Sequence, residues 1–205
     1  MSFKLNNSSL AGSFLFLGGL QWFMTVMAAE TLFPGYSTRL NDLSDLASTV
    51  PPNTSIVQPS AIMFNATTFL LGLMILISAF LIYRAYGERL FSILFVIFGA
   101  SAMGVGIFPG DTGLIHALVA LITFVTSSLS AIVSYRLLKG PFGYISVLIG
   151  TFSLIVLFIA LFMGESSSFG LVFGRGGEER FVAYPVVLWI IGLGGYLMGS
   201  YFGES

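Results

Sequence analysis

The stretch Gly106–Phe124, GIFPGDTGLIHALVALITF, decides the fold class of this chain. Two apolar runs meet at its Pro-Gly-Asp turn, and proline at such a junction ends one helix or starts the next. The single histidine of the chain, His116, lies in the second run, five residues after Asp111. Ionisable groups inside apolar helices are costly, so these two residues become candidates for a functional site.

The rest of the chain is as apolar as this stretch. Of its 205 residues, 56 % are hydrophobic and only 8 % are charged, whereas soluble domains carry about 25 % charged residues. Such a chain cannot cover its own surface with polar groups, so we expect its solvent to be lipid. The sequence has no basic tract that could follow phosphates, so we expect no nucleic-acid partner. With no cysteine and one histidine, we expect no metal site and no cofactor.

Six apolar runs predict an all-α, polytopic membrane protein, a six-transmembrane-helix bundle that forms one integral membrane domain over residues 1–205. About 20 apolar residues span a bilayer, and the backbone must satisfy its own hydrogen bonds there, so the runs are helices. The first run is long enough to span, and we expect it to be retained, with a cleaved signal peptide as the alternative. We place the helices at about 9–29, 61–83, 90–108, 114–135, 143–163 and 185–202.

The orientation follows from the basic residues in the loops, which favour the cytoplasmic side. With the N-terminus inside, the inside segments carry five basic residues and the outside segments carry three. We therefore expect a multi-pass protein of the cell membrane with both termini in the cytoplasm. The inside set is Lys4, Arg84, Arg89, Arg136 and Lys139, and the outside set is Arg39, Arg175 and Arg180.

This topology leaves two longer loops outside, at about 30–60 and 164–184. In the first loop, leucines at three-residue spacing predict a short amphipathic helix that lies on the membrane face. Asn53-Thr54-Ser55 in the same loop is a sequon, which makes Asn53 a candidate for glycosylation. The leucines are Leu40, Leu43 and Leu46.

Small and aromatic residues predict how the helices pack. Gly195, Gly199 and Gly203 recur at four-residue spacing and let another helix approach closely. Packing within the bundle is one interpretation of this stripe, and a homo-oligomer seam is the other. Trp22 and Trp189 fit belts at the membrane–water interface.

The polar residues collect in the outer half of the predicted bundle, which indicates an outward-facing polar pocket. We take His116, Asp111, Ser44 and Glu179 as catalytic candidates, and Asn65, Gln21, Glu30 and Arg180 as ligand-binding candidates. Structural roles compete with these functional ones. Asp111 fits an N-cap of the fourth helix, His116, Asn65 and Gln21 fit interhelical hydrogen bonds, and Arg180 fits an ion pair with Glu178 or Glu179.

Four stretches of the chain are similar to a known family, the six-helix membrane family called domain of unknown function 998. The likeness covers nearly the whole chain, and it implies the six-helix fold but no established activity. One departure is Leu43–Ala47, where the family often continues with glycine, and this loosens the case for a special role of Ser44. The matching residues are Tyr36, Ser37, Ser44 and Leu46; Asn65 and Gly72; Gly106, Phe108, Pro109, Asp111 and His116; and Glu179, Arg180 and Trp189.

Three classes of function remain open from the sequence. The first is a non-catalytic accessory subunit of a larger membrane complex, or a bundle that binds a lipid or small molecule. The second is a membrane-embedded hydrolase or transferase acting on a lipid at the outer face, with His116 as general base oriented by Asp111 and Ser44 as nucleophile. The third is a channel or transporter. The expected partners are membrane lipids, other subunits of a complex, or a second copy of the chain.

Overall fold

The computed structural model describes residues 6–199 and confirms the six-helix prediction over that range. All six long helices have the length and apolar composition needed to cross a membrane, so the chain is a multi-pass membrane protein. The helices are α1 Asn7–Leu32, α2 Ser60–Tyr86, α3 Arg89–Ile107, α4 Leu114–Val133, α5 Pro141–Met163 and α6 Ser168–Gly199.

The helices form a ring in chain order, in which each packs on the next and α6 closes on α1. Glycines bring neighbouring backbones into contact at two seams of this ring. A Cβ atom added to Gly72 of α2 would lie 2.5 Å from the carbonyl oxygen of Gly99 in α3, and one added to Gly12 of α1 would lie 2.6 Å from that of Gly194 in α6. These glycines therefore serve the close helix packing that small residues permit in membranes.

The second outside loop predicted at 164–184 is mostly helix, so the start expected at about 185 is wrong. α6 begins at Ser168 and is interrupted at Gly174, where φ is +71°. Glycine is needed at that point because other residues rarely adopt a positive φ, and the first loop lies against the interruption. A Cβ atom on Gly174 would lie 2.3 Å from the carbonyl oxygen of Arg39. Glu178 and Arg180 of this segment are buried against protein groups, which permits a helix where the composition predicts a loop.

The amphipathic helix predicted in the first loop does not form. A single 3-10 turn, Ser44–Leu46, takes its place. Leu43 and Leu46 are buried in the core of the bundle, whereas Leu40 is 71 % exposed. The loop thus folds into the mouth of the bundle, where burial of the two leucines removes their apolar surface from water.

Both tryptophans are buried inside the bundle, so the prediction of interfacial belts is wrong. Trp22 donates its indole N–H to Thr68 Oγ1 at 3.1 Å, and Trp189 donates to Ser146 Oγ at 3.0 Å. A hydroxyl on a neighbouring helix thus replaces the water that an interfacial indole would use.

The predicted glycine stripe on the last helix faces open space. A Cβ atom on Gly195 or Gly199 would meet no heavy atom within 4 Å, so these positions do not pack within the bundle. Gly203 lies outside the described residues. The homo-oligomer seam along this stripe stays a prediction.

Candidate functional site

A cavity of about 70 Å³ lies inside the helix ring, at the end where the first loop folds over it. Its walls come from α1, α2, α3, α4 and α6, and Leu43 and Ser44 of the loop cover it. Most of the wall is apolar, so the pocket is less polar than the sequence predicts. Representative wall residues are Trp22, Phe64, Leu71, Phe98 and Val186.

Three of the four catalytic candidates line this cavity, namely Ser44, His116 and Glu179. They come from the first loop, α4 and α6, three segments far apart in the chain. Sequence reasoning did not assign three other polar wall residues to the site, namely Thr68, Thr123 and Ser127. Nothing in the sequence marks them, because buried Thr and Ser are also ordinary packing residues in membrane helices.

His116 has a defined orientation in the cavity wall. It is buried, and its Nδ1 atom lies 2.7 Å from the carbonyl oxygen of Phe108. Phe108 is the C-cap of α3, where carbonyl groups lack partners within the helix. The bond therefore satisfies the end of α3 and fixes the imidazole ring at the same time. Nε2 of this ring has no hydrogen-bond partner among residues 6–199.

Glu179 ties the loop to α6 beside the cavity. Its Oε2 atom accepts a hydrogen bond from the backbone N–H of Leu43. The neighbouring Ser44 hydroxyl has no side-chain hydrogen bond within the described part of the chain. The cavity thus holds an unpaired imidazole nitrogen, an unpaired hydroxyl and a carboxyl group.

Asp111 does not join this group, and two expectations for it are wrong. It lies exposed in a 3-10 turn, Gly110–Thr112, and its carboxylate has no hydrogen bond or ion pair within residues 6–199. The N-cap of α4 is Gly113, whose φ of +61° turns the chain two residues after Asp111. The carbonyl of Phe108, and not Asp111, orients His116.

Arg180 anchors the first loop to α6. Its Nη1 atom donates to the carbonyl oxygens of Thr38, Asn41 and Gly176 at 3.0, 3.0 and 2.8 Å. Its Nη2 atom donates to Glu30 Oε1 at 2.7 Å and to the Tyr36 hydroxyl at 2.6 Å.

The guanidinium also lies over the Tyr36 ring, 5.5 Å from its centroid. Arg180 is buried, with 8 % of its surface exposed. Tyr36 is also largely buried, and this burial raises the pKa of its hydroxyl well above the ordinary value. Neither Arg180 nor Glu30 lines the cavity. The expected ion pair of Arg180 with Glu178 or Glu179 is wrong, because Arg180 pairs with Glu30. This pair holds the covering loop in place.

A second ion pair supports the same loop. The Arg175 Nη2 atom lies 2.5 Å from Asp42 Oδ2. Within the loop, the Asp45 carboxylate accepts hydrogen bonds from the Asn41 side chain and from the Asp42 backbone N–H. Burial raises the pKa of the Asp42 carboxyl, although Arg175 opposes that shift. The charged residues of the first loop therefore hold the loop together and bind it to α6.

The remaining candidates lie outside the cavity wall. Gln21 bridges α1 and α2, since it donates to the carbonyl oxygen of Thr67 at 3.1 Å and accepts from the Thr67 hydroxyl at 2.5 Å; its predicted interhelical hydrogen bond is confirmed. Asn65 Oδ1 is buried without a hydrogen-bond partner among residues 6–199. Asn53 is exposed in the first loop. No group of three or more His, Asp or Glu residues able to hold a metal occurs in the described range.

Comparison with known proteins identifies a family. The model of a family described as "Protein of unknown function (DUF998)" matches residues 16–196, which confirms the resemblance drawn from the sequence. Neither the curated proteins nor the solved structures contain a match.

Proposed function

We propose that this chain, which belongs to the DUF998 family, binds an apolar molecule with one polar group in the cavity beneath the first loop. The observation that carries the proposal is the unpaired Nε2 atom of His116 in a mostly apolar cavity wall. Binding sites for small molecules combine such walls with a few fixed polar groups.

The size of the cavity limits what enters it. Sites that enclose a whole drug-sized molecule measure about 300–1,000 Å³, and this cavity measures about 70 Å³. Part of a lipid, such as a polar group with its first carbon atoms, fits inside. The rest of the molecule then lies against the exposed apolar surface of the helices.

Native mass spectrometry of the protein, extracted gently from its own membrane, tests this proposal. We expect the wild-type chain to carry a bound lipid and His116→Ala to lose it. Asp111→Ala is the matched control, because Asp111 is an ionisable residue of the same region but lies outside the cavity wall. Unfolding temperatures of the three proteins separate loss of binding from loss of fold.

Two outcomes contradict the proposal. One is a wild-type protein that never retains a lipid, and the other is equal retention by His116→Ala. A stoichiometric protein partner in place of a lipid supports the accessory-subunit function instead.

A membrane-embedded hydrolase is a second candidate, and the observation in its favour is that Ser44, His116 and Glu179 line one cavity. The Ser44 oxygen would add to an ester carbonyl while His116 Nε2 takes the serine proton. The C–O bond of the ester would then break, the leaving alcohol would receive that proton, and water would hydrolyse the acyl-serine. Hydrolysis of a fluorogenic lipid ester by wild type but not by Ser44→Ala supports this candidate. Equal turnover by the two proteins rejects it.

The channel and transporter alternative has less support. Fully buried Ile75, Phe91 and Phe95 fill the half of the bundle away from the loop, where a continuous path would have to pass.

We also propose that the protein lies in the cell membrane with both termini in the cytoplasm. At the proposed outer end, Arg175 and Arg180 are paired with Asp42 and Glu30. At the proposed inner end, Arg84, Arg89 and Lys139 have no ion pair among residues 6–199, whereas Arg136 pairs with Glu88. The excess of unpaired basic charge at that end supports a cytoplasmic location.

A further inference from the structure

We infer that the molecule in this cavity carries a hydrogen-bond donor, a hydroxyl or an amine, and that ethers and ionised acids bind there more weakly. The inference rests on the proposed binding function and specifies its ligand class.

The hydrogen bond of His116 determines which kind of group its free nitrogen can meet. A carbonyl oxygen can only accept, so Nδ1, at 2.7 Å from the Phe108 oxygen, carries the hydrogen. In the neutral imidazole the other nitrogen then has a lone pair and no hydrogen. Nε2 therefore presents an acceptor to the cavity, and a ligand must bring the donor.

Several donors of the cavity wall are already used within the protein. The Thr123 and Ser127 hydroxyls donate to the carbonyl oxygens of Val119 and Phe124 at 2.7 and 3.1 Å. The Trp22 N–H donates to Thr68. The hydroxyls of Ser44 and Thr68 remain available as donors, and a hydroxyl both donates and accepts.

Charge disfavours anionic head groups. Neither lysine nor arginine lines the cavity, and the terminal nitrogens of nearby Arg180 already serve five acceptors. A carboxylate or phosphate would instead meet the Glu179 carboxyl without a compensating cation, which is unfavourable in apolar surroundings. A hydroxyl can donate to His116 Nε2 and accept from Ser44.

Four probes with the same chain test this inference: dodecan-1-ol, dodecylamine, dodecyl methyl ether and dodecanoate. Trp22 lines the cavity and reports binding through its fluorescence, with Trp189→Phe used to leave it as the single tryptophan. Titrations of the detergent-solubilised chain are made at pH 8. Competition among the probes in native mass spectrometry of the wild-type chain provides a second readout that needs no substitution.

We expect the alcohol to bind roughly tenfold more tightly than the ether, as one buried hydrogen bond provides. The amine is an ammonium ion at pH 8 and also donates, so it should bind more tightly than the ether as well, and the acid should bind most weakly. His116→Ala should bind alcohol and ether equally, whereas Asp111→Asn should keep the preference. Binding of the ether or the acid as tight as that of the alcohol overturns the inference but leaves the proposed function intact. No binding of any probe by either readout contradicts the proposed function itself.

Discussion

Replacement of Arg180 by methionine should destabilise the protein strongly. Methionine keeps much of the length of the side chain but leaves Glu30 without its cation and three backbone carbonyls without the guanidinium donor. The side chains of Arg180 and Glu30 are only 10 % and 17 % exposed. Removal of one partner from such a buried pair costs about 3–5 kcal/mol, because the other charge stays buried alone.

The expected result is a fall in unfolding temperature of roughly 6–20 °C, at about 2–4 °C per kcal/mol for a chain of this size. Circular dichroism of the protein in detergent micelles, recorded on heating, measures it. Arg180→Lys should lie between wild type and Arg180→Met, because an ammonium group has three donors for the five acceptors around the guanidinium.

Arg136→Met is the matched control, since Arg136 pairs with Glu88 at 3.2 Å but its side chain is 48 % exposed. Exposed pairs contribute little, so this variant should unfold at the wild-type temperature. The double variant Arg180→Met/Glu30→Leu should recover part of the loss, because it removes the isolated carboxylate. An Arg180→Met protein as stable as the Arg136→Met control would refute the role of Arg180 as the anchor of the loop.

Three further predictions concern packing, topology and pH. Gly72→Val should force α2 away from α3 and destabilise the fold by about 1–3 kcal/mol. Gly195→Ala should leave the stability unchanged, because Gly195 has open space around it. Thermal unfolding of the two variants measures the difference, and equal effects would contradict the close packing of α2 on α3. In this cysteine-free chain, Leu40→Cys should react with an impermeant maleimide on intact cells and Lys139→Cys should not; the reverse pattern would invert the topology. Burial raises the pKa of the Asp42 carboxyl, so the stability that its protonated form provides at low pH is lost as pH rises through that pKa. The unfolding temperature of wild type should therefore fall with pH relative to that of Asp42→Asn. Parallel curves of unfolding temperature against pH would contradict the shift.

The sequence predicts the transmembrane helices well because long apolar runs and proline junctions are local signals. The start of α6 is not local. The helix includes Gly176 and Arg180 because the first loop accepts hydrogen bonds from the Gly176 backbone N–H and from the Arg180 side chain. Those partners lie about 140 residues away in the chain, so composition alone predicts a loop.

The candidate site was predictable in part for the same reason. A single histidine and a few carboxyl groups are conspicuous in an apolar sequence, which makes them candidates for a site. In the structure His116, Ser44 and Glu179 line one cavity. The partner of His116 is a backbone carbonyl, which has no sequence signature. Asp111 resembles an N-cap in sequence, but the positive φ of Gly113 moves the start of α4 beyond its reach.

Filling the cavity tests the central claim most directly. Ala102 of α3 lines the cavity and is 2 % exposed, so Ala102→Leu places extra carbon atoms in the space assigned to the ligand. Native mass spectrometry should then find no bound lipid on a protein that unfolds at or near the wild-type temperature. Full retention of the lipid by a folded Ala102→Leu protein would contradict the assignment of this cavity as the binding site.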